Sequence, residues 1–235
     1  MIFFKSYRRL FPKLFEYRDE VESRKRKNIL QELERRSLKE TADYVEAHMV
    51  AASACSSHAE VYDCALSKIS IPAGLYCEFG VWKATSINYI AGKINGTIHG
   101  FDSFEGLPEF WRGGYGKSAF SLEGNLPPVA ANVRLHKGWF EDTLPAFVEE
   151  HPGPLAFLHV DCDLYSSTKT IFSFLGNRIQ PGTVIVFDEY FNFPLWKQHE
   201  YKAFQEFLEA YGLSYQYLCY NQFHEQVAVQ IREKC

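Results

Sequence analysis

The chain has 235 residues, 46% hydrophobic, 23% charged and 16% aromatic, which excludes a disordered or collagen-like chain. Its net charge of −4 excludes a dedicated nucleic-acid binder, which needs a strong basic excess. No apolar run approaches the roughly 18 residues that a membrane-spanning helix requires. Charge is segregated: residues 1–30 carry nine Lys or Arg against four acids, a local +5. The longest uncharged stretch there is Met1 to Phe4, so no secretory leader is expected. Phe3, Phe4, Tyr7, Leu10, Phe11, Leu14 and Phe15 recur at three- and four-residue steps, predicting an amphipathic helix that bends near Pro12. The first 65 residues read as helical, and 1–70 as an N-terminal helical extension. It would pack on the main domain or on a second copy in a homodimer. The sharper alternative is peripheral contact of residues 1–30 with an anionic membrane surface. The six cysteines show no C-x-x-C spacing, and Cys77 and Cys162 fall in apolar runs, so they read as buried thiols of a reducing cytoplasm.

From residue 71 to 235 strands and helices alternate. Strands are predicted at 74–80, 97–102, 133–140, 155–163 and 183–188, with helices at 84–94, 141–150, 167–178 and 198–211. Apolar strands separated by amphipathic helices imply a parallel sheet covered on both faces, an α/β doubly wound, Rossmann-like domain. The segments 214–220 and 226–232 are joined by too short a link for a crossover and must form an antiparallel hairpin. Residues 103–132, rich in Gly and Pro, make a long irregular excursion of the kind that forms lids and binding loops.

Ligands of such sheets bind beyond the carboxyl ends of the strands. Here those ends read Glu78-Phe79-Gly80, Asp102-Ser103, Gly138-Trp139-Phe140, Asp161-Cys162-Asp163 and Asp188-Glu189. An acid closing the second strand suits ribose hydroxyls, and Asp102 stands there. The first turn, EFGVWKATS from Glu78 to Ser86, lacks the G-x-G-x-x-G that brings a helix to a pyrophosphate. Glu78 would repel phosphate but could accept from an ammonium, while Gly80 permits close approach. S-adenosylmethionine therefore fits better than NAD or FAD, with Trp139 and Phe140 placed to cover its adenine. Asp161, Asp163, Asp188 and Glu189 cannot all stay ionised side by side without a counter-charge. Lys169 is one candidate for it. A divalent ion, Mg²⁺, Mn²⁺ or Ca²⁺, held by Asp161, Asp188 and Glu189 is the other. A hydroxyl at such a metal would be acidified, with Asp163 as the base. His199 is the first alternative base, followed by His224, whereas His159 reads as a satisfied core residue.

The blocks EFGVWKATS, FDSFEGLP, KGWFEDTLP, HVDCDLYSSTK and PGTVIVFDEY, taken in order, resemble the macrocin O-methyltransferase (TylF-type) family of class I methyltransferases. The resemblance implies a seven-stranded sheet of order 3-2-1-4-5-7-6 with the last strand antiparallel. It also implies a Mg²⁺-dependent O-methyltransferase acting on a sugar or glycosylated small molecule. Asp161, Asp188 and Glu189 fall at its metal positions, Asp163 at its base, and Glu78, Asp102 and Trp139 in its cofactor-contacting blocks. Ser86, Ser103, Gly138 and Asp161 join the expected cofactor wall. A catechol-type acceptor, a nucleotide-dependent oxidoreductase and a non-catalytic cofactor-binding member of a membrane-associated assembly are the rival readings.

Overall fold

The computed structural model describes residues 27–233 throughout, with Lys13, Tyr17, Glu20 and Arg24 before them. The aromatic stripe, the bend at Pro12 and nearly all of the stretch expected to touch a membrane lie outside the described residues.

Helix α1 (Ile29–His48) begins where the Asn28 side chain accepts a hydrogen bond from the Gln31 amide, and Glu32 pairs with Arg35 and Arg36 along its first turns. The chain then forms β1 (Ser53–Cys55), α2 (His58–Leu66), β2 (Leu75–Phe79), α3 (Thr85–Ala91), β3 (Ile98–Asp102) and β4 (Val133–Lys137). It continues through α4 (Phe140–Glu150), β5 (Leu155–Val160), α5 (Tyr165–Leu175), β6 (Val184–Phe187), α6 (Glu200–Tyr211), β7 (Leu213–Asn221) and β8 (Val227–Glu233). One eight-stranded sheet runs β1-β7-β8-β6-β5-β2-β3-β4. Without β1 this is the expected order, and β8 is antiparallel to both β6 and β7 as expected. The eighth strand corrects the reading of the first 65 residues as all helix. β1 pairs in parallel with β7, and the Ser57 side chain caps α2 against the same sheet, so the sheet domain begins well before residue 71. Three residues are too short to show a strand period, and an edge strand needs little apolar sequence of its own.

Alternation along the strands sorts the core into two layers. Cys77 and Phe79, Leu158 and Val160, and Ile185 and Phe187 face α4, α5 and α6, whereas Phe157, Val184 and Val186 face α2 and α3. The C-terminal half of α1 docks on the first layer. Tyr44, Tyr190 and Tyr215 all bring their hydroxyls to that of Tyr217, at 2.5, 2.7 and 2.9 Å, and Thr41 accepts from the Asn192 amide. Among the described residues no helix is long and apolar enough to cross a membrane. The five described cysteines are unbridged.

Histidines supply one acid-sensitive patch. His99 lies 3.0 Å from His136, ring nitrogen to ring nitrogen, and packs against the His151 ring and edge-on to Phe147. Burial, with the nearby charges of His136, His151 and Arg134, holds the His99 imidazole down at about 4. The unfolded chain takes up this proton first, so the stabilisation is complete above about pH 6.5 and is lost as pH falls from there toward 4. Thermal melts from pH 8 to pH 4.5 should show a falling midpoint across that window, by about 2–4 °C for each kcal/mol lost. His99→Phe should flatten the slope; an unchanged slope would place the acid sensitivity elsewhere.

Candidate functional site

The chain leaves β2 to build β3 and β4 on one side, then returns to add β5 on the other, so strand order reverses between β2 and β5. A cavity of about 830 Å³ opens above that point, walled by the ends of β2, β3, β5 and β6 and covered by the 103–132 excursion. Gly80 lies at its floor with φ +94°. A Cβ there would sit 1.6 Å from the Asp161 carbonyl oxygen, so only glycine lets the two strand ends close. The turn that follows holds Trp82 and Ala84 in left-handed conformations as well, and Asp102 braces it. One Asp102 oxygen accepts from the amides of Val81 and Trp82 at 2.8 Å each, and the other from Phe104 at 2.6 Å. Asp102, Ser103, Ser86, Trp139 and Phe140 line the cavity with Gly80. Gly138 stands behind them, its amide donating to the Asp102 carbonyl oxygen.

Glu78 is placed differently from the expectation that it would meet an ammonium. It is fully buried and outside the cavity wall, one carboxylate oxygen accepting from Ser86 Oγ at 2.9 Å and the other joined to His159 Nδ1 at 2.9 Å. The strand register makes Glu78 and His159 direct neighbours. His159 is thus no plain core residue. Its Nε2 points toward Asp188 Oδ1 at 3.8 Å without a hydrogen-bond partner, and Tyr62 of α2 stands edge-on against the ring.

Asp161, Asp163, Asp188 and Glu189 all reach the cavity. Strand β5 ends at Val160, so the alternation expected to align Asp161 with Asp163 does not apply; a left-handed turn at Asp163, φ +64°, brings it in instead. Burial pushes Asp161 and Glu189 well above the usual carboxylate range, and the surrounding acids push them further. Asp163 is pushed up to about 7 by burial, with Arg112 pulling down and Asp188 and Glu225 pushing up. Asp188 alone is held low: burial opposes its charge, but His159 and then His58 outweigh it. Lys169 does not supply the missing counter-charge, because its ammonium is 2.9 Å from Glu206. The donor set fits a divalent cation. One oxygen each from Asp161 and Asp188 and one nitrogen of His159 lie within 4.8 Å of one another, and the buried Glu189 Oε2 has no partner. Glu189 stands outside that tight group although it was expected within it.

His199 is not brought to the cavity wall; it precedes α6 and packs against the Phe193 ring. His224 also stays outside, joined to Gln226. Sequence reasoning missed Glu200, fully buried, whose carboxylate accepts from the Glu189 amide at 3.2 Å. It missed His58 and Tyr62 as well, which α2 sends into the cavity one turn apart. Arg112, from the excursion, reaches Glu225 of the β7–β8 turn at 3.0 Å and lies over the Trp111 ring.

Residues 120–216 match the family model described as Macrocin-O-methyltransferase (TylF). The resemblance drawn from the sequence blocks is borne out by that match, although EFGVWKATS and FDSFEGLP precede it. The chain is 32% identical over 142 residues to the 8-demethyl-8-(2,3-dimethoxy-alpha-L-rhamnosyl)-tetracenomycin-C 4'-O-methyltransferase of Streptomyces olivaceus, covering 48% of this chain and 51% of that protein. It is 28% identical over 160 residues to the demethyldecarbamoylnovobiocin O-methyltransferase of Streptomyces niveus, covering 57% of this chain and 60% of that one. The chain thus spans between half and two thirds of the length of these curated relatives. Among solved structures, calicheamicin methyltransferase CalS11 superposes with a TM-score of 0.60 at 20% identity over 73% of this chain and 77% of that one. The O-methyltransferase NovP gives 0.51 at 22% identity over 73% and 76%. Both share the fold.

Proposed function

We propose that this chain, whose residues 120–216 carry the macrocin-O-methyltransferase (TylF) pattern, transfers a methyl group from S-adenosylmethionine to a hydroxyl of a sugar or glycosylated small molecule, assisted by a divalent cation such as Mg²⁺. The observation that carries the reading is the gathering of Gly80, Asp102, Asp161, Asp163 and Asp188 on one cavity at the strand-order reversal. The rhamnosyl group in the first relative's substrate supports the acceptor class.

S-adenosylmethionine supplies an electrophilic methyl group, and a cation held by Asp161 and Asp188 supplies Lewis acidity toward the acceptor hydroxyl. The chain's own residues do the rest. Asp102 has fixed its turn through three backbone amides and presents its remaining lone pairs to ribose hydroxyls. Trp139 and Phe140 cover the adenine, and the Gly80 backbone with Ser86 lines the methionine end. Glu78 works from behind, fixing Ser86 rather than touching the cofactor. Asp163, inside the same cavity, accepts the acceptor's proton. An alcohol is far from ionised at neutral pH, so this proton transfer must accompany methyl transfer. Trp82, Phe120 and Leu107 shield the reacting atoms from bulk water.

Isothermal titration should show binding of S-adenosylmethionine and none of NAD. Methyl transfer to a rhamnosylated acceptor should fall by about 10²-fold or more in EDTA and return with Mg²⁺ or Mn²⁺, a loss of roughly 3 kcal/mol of transition-state stabilisation. Full activity in chelator would remove the cation from the mechanism. No binding of S-adenosylmethionine would sink the reading altogether.

A further inference from the structure

We propose that His159 is itself a ligand of the cation, through Nε2, alongside Asp161 and Asp188, and that the site consequently prefers Mn²⁺ to Mg²⁺. Three independent features of the buried face lead there. Glu78, His159 and Val186 are cross-strand neighbours, and Asp161 and Asp188 each follow two residues beyond a member of that row, at the mouth of the cavity. The His159 ring is fully buried, yet Nε2 has no hydrogen-bond partner while facing Asp188 Oδ1 at 3.8 Å. Glu78 already accepts from Ser86, and as a carboxylate it accepts from Nδ1–H too. With a cation bound, the single ring proton stays on Nδ1, and Nε2, the nitrogen on the side of the two aspartates, is the one free to ligate. A carboxylate behind the far nitrogen of a ligating histidine is the usual support of such a ligand, setting its tautomer and raising its basicity. Tyr62, edge-on at a centroid distance of 5.1 Å, holds the ring plane. Nitrogen in place of one oxygen shifts preference from Mg²⁺ and Ca²⁺ toward transition ions.

This refines the cation of the proposed function, and its test is read without cofactor or acceptor. Electron spin-echo envelope modulation of the full chain loaded with Mn²⁺ should show coupling to ¹⁴N, replaced by the ¹⁵N pattern when the chain is grown with ¹⁵N-histidine. The coupling should vanish in His159→Gln and persist in His58→Gln, the histidine that lines the cavity itself. Titration should give Mn²⁺ tighter than Mg²⁺ by at least about tenfold, and Glu78→Gln should weaken Mn²⁺ by about 10–100-fold. The isotope exchange needs no mutation, so the assignment stays testable even if His159→Gln fails to fold. No Mn²⁺ binding, no nitrogen coupling, coupling that disappears in His58→Gln, or equal affinity for the two ions would overturn it. Loss of methyl transfer with the nitrogen signal intact would count against the proposed function and leave this ligand in place.

Discussion

Asp163→Asn should lower kcat by about 10²–10⁴-fold while the affinity for S-adenosylmethionine stays near that of the wild type, since a positioned base contributes on that scale. The substitution is gentle on the fold. Asp163 sits at φ +64°, a conformation Asn adopts as readily as Asp, and the two side chains have nearly the same shape. What changes is the ability to take a proton. The Arg112 guanidinium is the main charge favouring ionised Asp163, and the same guanidinium is tied to Glu225, so the amide variant leaves Arg112 partnered. Steady-state kinetics with cofactor titration separate the two quantities. Wild-type turnover in Asp163→Asn would move the base to another carboxylate, with Glu189 of the cavity wall and its buried neighbour Glu200 the candidates.

The sheet was legible because its strands are short apolar runs bounded by glycine and acid, and because helical periods separate them. The succession of β2 to β8 and the long excursion emerged as expected for that reason, and the order of those strands across the sheet is the one the family resemblance implied. The start of the domain was not legible: β1 carries only Ser-Ala-Cys, and its place at the sheet edge depends on pairing with β7, more than 160 residues away. The strand-end carboxylates were legible as a set, since chain position alone puts them at one edge of a parallel sheet. Their individual duties were not. Whether Glu78 meets a ligand or a neighbouring strand depends on register, and only register pairs it with His159. His58 and Tyr62 carry no sign of function in sequence, because a helix that covers a sheet and one that walls a cavity show the same apolar spacing. His199 is adjacent in sequence to Glu200, yet the turn into α6 directs Glu200 under Glu189 and leaves His199 against Phe193.

Gly80→Ala should be among the most damaging single substitutions in the chain, costing roughly 2–5 kcal/mol of stability and at least about tenfold in cofactor affinity. Two penalties add at this position. A residue with a Cβ resists φ +94°, and the added carbon would lie 1.6 Å from the Asp161 carbonyl oxygen. That obstacle is backbone rather than the tip of a flexible side chain, so relief requires the end of β5 to move. The Asp161 amide donates to the Phe79 carbonyl at 2.8 Å, tying the two strand ends together where they must part. Any retreat carries the Asp161 carboxylate away from Asp188, so cofactor and cation sites suffer together. Gly113→Ala, in the excursion with nothing within 4 Å of the new carbon, provides the contrast and should be near neutral. Urea melts and titrations of S-adenosylmethionine and Mn²⁺ on both variants measure the difference. Wild-type stability and affinity in Gly80→Ala would mean that β2 and β5 separate freely at the strand-order reversal, and that the cavity tolerates a floor other than the one these residues build.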